Sequence, residues 1–379
     1  MAASVLAFGL STTTRLTRGF GRTLSGSHKR SVQKRVRFLC STTSNDKKRV
    51  VFLGTPPVAA RALKTINIAA LKPDSSFSII GVVTQPPALV GRKRVLTNSP
   101  VHTLAEELSI STIMTPASAK DPGFLDQLRS LAPDLCITAA YGNFLPKAFL
   151  DIPPFGTLNI HPSLLPEFRG AAPVPRALEA GVQTTGVSIL LTILKMDAGP
   201  VLAQRIRELK GDEQGPELLE ELFASGCEAL LDVLPSVWDG TAQHIAQDHD
   251  AATHAAKLSK DEARLSFTEN ACIIHNKVRG FAGWPGTWGD FVLRGTDGER
   301  QEVRLKVLET VVLRQEGGMC LGVHDVSFDE DNNCLAVTCD DGSKIGVLQV
   351  QPPGKKGMDA RSFWNGLRGK SVGRKRVPH

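Results

Sequence analysis

At 379 residues the chain is long enough for two domains, each with a core of its own. Its net charge of +7 sits in the first 45 residues, which hold eight Lys/Arg and no Asp or Glu; the rest balances 37 basic against 38 acidic groups. No run approaches the ~18–20 consecutive apolar residues of a membrane-spanning helix, so no membrane partner is expected. Seven cysteines without a C-x-x-C pair offer neither a zinc ribbon nor a disulfide framework; a reduced, soluble compartment fits, and no metal is assigned.

Residues 1–45 contain seven Ser, seven Thr, six Arg and two Lys. Arg-rich, Ser-rich, acid-free composition is that of an organellar transit peptide. A disordered basic arm that binds RNA is the other reading. The uncharged first fourteen residues resemble a plastid signal, whereas Arg15, Arg18, Arg22 and the Arg37-Phe38-Leu39 stretch favour the mitochondrion. Mitochondrion is ranked first, with chloroplast or both as the alternative.

The first folded element is a short apolar strand over Arg49–Leu53, followed by the turn Gly54-Thr55-Pro56 and a helical pattern through about Leu71. Strand, glycine turn and helix open a Rossmann-like unit, but the turn is not G-x-G-x-x-G and implies no dinucleotide. Phe77–Thr84 reads as a second strand, and residues 85–100 as a long loop with three cations, Arg92, Lys93 and Arg94, near its tip. Such a tip suits polynucleotide phosphates, although a solvated surface loop has the same composition. Ser99–Leu108 carries a Ser N-cap and a proline at the first helical position, and Ser118–Leu131 reads as another helix. Leu135–Ala140 is a buried strand running into Tyr141-Gly142, and Cys136 within it belongs to the core.

Thr157–His161 (TLNIH) is a strand that Pro162 stops at once. Side chains alternate along a strand, so Asn159 and His161 project from the same face at its carboxyl end. Ligands of open parallel α/β sheets bind beyond that end, where an amide and an imidazole can polarise a carbonyl and carry charge or protons. A capped strand end whose histidine bonds to backbone explains the same residues. Downstream, a strand near 185 leads to Met196-Asp197-Ala198-Gly199-Pro200, a turn with one carboxylate at its tip.

Strands at 50, 79, 135, 157 and 185, separated mostly by helices, argue an α/β domain with a parallel sheet. Gly215–Trp238 is a long amphipathic helix that closes the domain, and the polar, turn-rich Asp239–Thr253 reads as a linker. The pattern then changes. A helix near Ala271–Phe281 precedes short alternating stretches at Trp288–Leu293, Val303–Val312, Met319–Val323, Leu335–Cys339 and Ile345–Gln351, which suggest a small β-barrel. Residues 351–379 hold eight Lys/Arg and one acid, Asp359. A solvated tail and a phosphate-binding face both fit that run.

Taken together, N-x-H-P-S-L-L-P, the downstream M-D-A-G-P and the early V-V-F-L-G-T-P resemble the folate-dependent formyltransferase family, in the same order and from about Val50 to about Gly369. The R-G-A-A-P segment (169–173) and the C-terminal half resemble its tRNA-acting branch. That likeness implies a Rossmann-like formyltransferase domain over 46–238, a linker at 239–257 and an OB-like barrel with a basic tail over 258–379. It implies 10-formyltetrahydrofolate as donor, the α-amine of initiator methionyl-tRNA as acceptor, no metal, and a monomer. It carries catalytic roles to Asn159, His161 and Asp197, and places Tyr141, Phe144, Leu145, Ser163, Leu164, Leu165 and Pro166 around the folate. It gives tRNA contacts to Arg92, Lys93, Arg94, Lys355 and Lys356. Formyl transfer to a small amine such as a purine-pathway ribonucleotide or nucleotide sugar, formate-releasing hydrolysis, and a non-catalytic tRNA-binding module remain the competing readings.

Overall fold

The computed structural model describes residues 47–91, 93–314 and 326–375. The presequence, Arg92 and the strand expected at Met319–Val323 therefore lie outside the described residues. In chain order the first part runs β1 (Lys48–Gly54), α1 (Pro57–Ala70), β2 (Phe77–Val83), β3 (Ala88–Val90), β4 (Val95–Thr97), α2 (Pro100–Glu107), β5 (Ile113–Met114), α3 (Pro122–Leu131) and β6 (Leu135–Ala139). It continues with α4 (Lys147–Leu150), β7 (Thr157–His161), β8 (Arg169–Gly170), α5 (Pro173–Ala180), β9 (Thr184–Leu191), β10 (Val201–Glu208), α6 (Gly215–Asp239) and β11 (His254–Ala255). After a 3₁₀ turn come α7 (Ala271–Gly280), β12 (Thr287–Arg294), β13 (Arg300–Leu313), β14 (Val326–Asp329), β15 (Cys334–Thr338), β16 (Lys344–Gln351), β17 (Met358–Asp359), α8 (Ala360–Asn365) and β18 (Ser371–Arg374).

The first sheet has the order β10-β9-β7-β6-β1-β2-β5. β7, β6, β1, β2 and β5 are mutually parallel, as alternating strands and helices require. β1 is buried on both faces: Val50 and Phe52 join the core under α1, α2 and α6, while Val51 and Leu53 join that under α3 and α4. The strand near 185 differs from a parallel reading. β9 runs antiparallel to β7, and β10 antiparallel to β9. The reason lies in the connection. Val174 and Leu178 of α5 pack against Leu218 and Leu222 of α6, so α5 does not carry the chain back across the sheet and β9 starts from the end at which β7 stops.

Two further elements depart from the sequence reading. The long segment after β2 folds into the hairpin β3–β4, and the third helix begins at Pro122 because the Asp121 carboxylate accepts from Phe124 N–H. The Ser99 cap on α2 and the extent of α6 match the reading, whereas β10 is a strand the reading did not contain.

The second sheet is antiparallel, ordered β14-β15-β16-β13-β12-β18, with β17 added beside β16. Its edge strands β14 and β18 come back into contact, so it curls into a nearly closed barrel around Leu305, Val307, Leu335, Val337, Ile345 and Val347. The expected basic tail is largely part of this barrel. Arg374 is buried and donates to the Phe267 carbonyl and to Asp340; Arg361 pairs with Glu330, and Lys375 with Glu302. Hydrophobic Phe363, Leu367 and Val372 pull the segment into the core, which composition counted by charge does not reveal. Lys355 and Lys356 stay exposed in the turn between β16 and β17.

Helix α6 crosses the sheet closely because Gly226 carries no Cβ. One built there would lie 2.5 Å from Ile160 Cγ2 and 2.8 Å from Val187 Cγ2. Gly226→Val should therefore lower stability by about 1–3 kcal/mol, read as a lower denaturation midpoint at unchanged slope.

Candidate active site

The parallel strands end on a cleft of about 690 Å3, lined by the turn after β1, residues 140–145 after β6, the end of β7, Gly170-Ala171, the 192–197 turn and one flank of α6. That volume suits a small-molecule ligand. Strand β6 lies beside β1 with β2 on the other side, which is where a doubly wound sheet opens a crevice at its carboxyl edge. Phe144, Ile193, Leu194 and Met196 present apolar side chains at its mouth. Arg61 of α1 meets Glu220 of α6 on the rim, so that cation is already paired.

Asn159, His161 and Asp197 all line this cleft. The Thr138 hydroxyl on β6 donates to Asn159 Oδ1 at 2.8 Å, which leaves the Nδ2 protons for the cleft. His161 is buried; its Nε2 donates to the Phe168 carbonyl at 3.0 Å. With that tautomer held, Nδ1 faces the Asp197 carboxylate, 3.7 Å from Oδ2. The separation is an electrostatic one, longer than a hydrogen bond. Asp197 Oδ2 instead accepts from the Gly170 N–H at 2.9 Å. The histidine thus bonds to backbone through one nitrogen and turns the other toward the Asp197 carboxylate.

The turn carrying Asp197 is held tightly. Asp197 has φ +47°, and a Cβ at Gly199 would fall 1.8 Å from the Leu191 carbonyl. Gly170, at φ +126°, admits the Ala255 carbonyl where a Cβ would sit 2.6 Å away. Only glycine lets β8 and β11 pair there.

Tyr141, Phe144 and Leu145 line the cleft as expected, with the Tyr141 carbonyl tied to the Thr55 hydroxyl at 2.9 Å. Ser163, Leu164, Leu165 and Pro166 do not line it. After Pro162 the chain turns away onto β9: Ser188 donates to the Ser163 carbonyl at 2.7 Å, Ser163 Oγ to the Glu167 carbonyl, and Leu165 packs with Leu190 and Val201. That loop shapes the backbone that holds Phe168 against His161. Lys93 and Arg94 are exposed at the tip of the β3–β4 hairpin, whose base touches the cleft through Gln85 Nε2 and the Tyr141 carbonyl, 3.4 Å. Burial pushes the Cys136 thiol up, in keeping with a core role. Among the described residues no group of three or more His, Cys, Asp or Glu is placed to hold a metal ion.

Sequence reasoning missed Thr138, Arg169 and Gln247. The Arg169 guanidinium bonds Gln247 Oε1 (2.6 and 3.0 Å), and Gln247 Nε2 donates to the carbonyls of Asp197 (2.9 Å) and Gly199 (2.6 Å). The alternation of β6, which pairs with β7 so that Thr138 faces Asn159, was a signal for the first. Nothing in a polar linker marks Gln247.

An amide, an imidazole and a carboxylate thus share a cleft at the carboxyl edge of a Rossmann-like sheet that a barrel follows, a set able to act on a carbonyl carbon. The chain belongs to the formyltransferase family. It matches the description "Formyl transferase" over residues 48–234 and "Formyl transferase, C-terminal domain" over residues 257–368. Curated relatives include the methionyl-tRNA formyltransferases of Macrococcus caseolyticus, 34% identical over 86% of this chain and 98% of that protein, and of Saccharopolyspora erythraea, 37% identical over 84% and 97%. A solved structure of similar fold is the N-formyltransferase from Helicobacter canadensis in complex with folinic acid and dTDP-3-aminofucose. It has a TM-score of 0.56 at 14% identity, over 81% of this chain and 100% of that one.

Thr138→Val keeps the shape of the side chain but removes the hydroxyl that sets the Asn159 amide. Its kcat should fall by about tenfold, the value of one hydrogen bond, while Thr138→Ser stays near wild type in steady-state kinetics.

Proposed function

We propose that this protein transfers the formyl group of 10-formyltetrahydrofolate to the α-amino group of methionyl-tRNA. The observation that carries the reading is the convergence of Asn159, His161 and Asp197 on one cleft. Relatives called methionyl-tRNA formyltransferase, similar over nearly their whole length, supply the acceptor. The amine attacks the formyl carbon, forming the new C–N bond and a tetrahedral oxyanion. Asn159 Nδ2 donates to that oxygen, and a protonated His161 Nδ1, facing the Asp197 carboxylate, adds a second donor. Asp197 takes the proton released by the amine, directly or through water. Collapse of the intermediate breaks the bond to the folate nitrogen, which leaves with a proton. The neutral amide product carries the formyl group.

The experiment is transfer of labelled formyl from the donor to methionyl-tRNA, with initiator and elongator tRNAs as separate acceptors. Preference for the initiator is expected. His161→Ala and Asp197→Asn should each lower transfer by about a hundredfold or more while leaving tRNA binding unchanged. Near-wild-type turnover in either variant would remove that residue from the mechanism.

Arg92, Lys93 and Arg94 on the hairpin, and Lys355 and Lys356 on the barrel, are proposed as phosphate contacts. The exposure of Lys93, Arg94, Lys355 and Lys356 supports this assignment, whereas Arg92 rests on its sequence position. Alanine in these positions should weaken tRNA binding and flatten its salt dependence by roughly one unit of slope at most per contact. A binding titration across a salt series measures it; an unchanged slope would point to a small amine as acceptor. Residues 1–45 are proposed as a transit peptide for the mitochondrion, supported by eight cations and no acid. A fluorescent fusion of that segment should accumulate in mitochondria, and plastid fluorescence would reassign it.

A further inference from the structure

Composition marks the polar segment between α6 and α7 as a connection between two domains. Its path is more specific than that. Ile245 N–H and carbonyl form an antiparallel bridge with Val201, at 2.9 and 2.8 Å, directly after the turn that carries Asp197. Thr253 accepts from Arg169 N–H through its carbonyl (2.9 Å) and from Phe168 N–H through its hydroxyl (2.8 Å). His254 and Ala255 then pair with Arg169 and Gly170. The segment is an exposed strap stitched at both ends to the loops that hold His161 and Asp197.

Between the stitches, Gln247 turns inward. Its amide uses every hydrogen-bonding position it has. Oε1 accepts twice from Arg169, which can only donate; Nε2 donates to the carbonyls of Asp197 and Gly199, which can only accept. The partners therefore set the orientation of the amide. Arg169 is itself buried and braced by His249 Nδ1 at 3.0 Å. The two carbonyls flank Ala198 at the point where Asp197 adopts φ +47° and Gly199 sits against the Leu191 carbonyl. Asp197 is thus held from two sides, by Gly170 N–H on its carboxylate and by Gln247 on its backbone.

We infer that Gln247 is a positioning residue for formyl transfer: from the interdomain strap it pins the Asp197 turn, so that the carboxylate stays opposite His161 Nδ1. The inference rests on Asp197 serving the reaction. A carboxylate at 3.7 Å from the imidazole acts through charge, and such an arrangement loses much of its value when displaced by about 1 Å, on the order of a hundredfold in rate. Gln247 is not itself among the residues that line the cleft and meets Asp197 only at its backbone carbonyl, so its removal should change turnover without changing substrate affinity.

The test uses the full-length protein with Gln247→Glu, which keeps an acceptor for Arg169 but sets an oxygen against two carbonyls. Single-turnover rates are compared with KM for donor and for methionyl-tRNA. Expected is a rate loss of roughly ten- to hundredfold with both KM values within about threefold of wild type. The decisive arm is the same change made on Asp197→Asn, where it should cost little further, because the group it positions is already gone. Gln247→Asn, one methylene too short to bridge Arg169 and both carbonyls, should behave likewise. Circular dichroism and thermal melts accompany each variant. A wild-type rate in Gln247→Glu overturns the inference, and so do losses that multiply fully on the Asp197→Asn background or a loss of folded structure in both Gln247 variants. If Asp197→Asn alone turns over normally, it is the role of Asp197 that fails.

Discussion

The hydrogen bond from His161 Nε2 to the Phe168 carbonyl is the contact on which the rest of the site depends. It decides which ring nitrogen carries a proton in the neutral form, and therefore which nitrogen is offered to the cleft. For that bond to exist, the chain after Pro162 must come back on itself within seven residues. Ser163, Leu165 and Ser188 hold that return by bonding and packing to the sheet edge, away from the ligand. Residues that look from sequence like a binding loop are in this sense the frame of the histidine.

The antiparallel turn of β9 belongs to the same geometry. Because β9 runs opposite to β7, it ends beside the start of that strand, where Thr192 N–H donates to the Thr157 carbonyl, and residues 192–197 then line the cleft on the way to β10. Asp197 thereby comes within 3.7 Å of an imidazole 36 positions earlier in the chain, while Asn159 is oriented from the opposite side by Thr138.

Much of this was legible in the sequence. Apolar runs, a Ser cap and a proline at N1 placed β1, β2, β6, β7, α2 and α6, because local periodicity and capping are local physics. Asn159 and His161 could be set on one face by strand alternation alone. What escaped were features decided by distant partners. The hairpin at 88–97 has a short polar tip between apolar pairs that stay exposed, so burial gave no cue. The C-terminal cations counted as a basic run, yet Arg374 is buried against Phe267 and Asp340, contacts separated by more than thirty positions. Gln247 lies among polar neighbours and has its meaning only through Arg169 and the Asp197 turn.

The fold leaves the choice of amine to other features. The Helicobacter canadensis N-formyltransferase, crystallised with a nucleotide sugar, shares the architecture along its whole length. The distinction has to come from charge and reach at the cleft mouth. A polynucleotide acceptor needs cations far enough from the reacting carbon to meet phosphates while the aminoacyl end enters. In this chain the exposed Lys93 and Arg94 stand on a hairpin whose base contacts the cleft, and Lys355-Lys356 lie on the barrel. The strap links these scales. It leaves α6, holds the Asp197 turn through Gln247, pairs with β8 and only then enters the barrel domain.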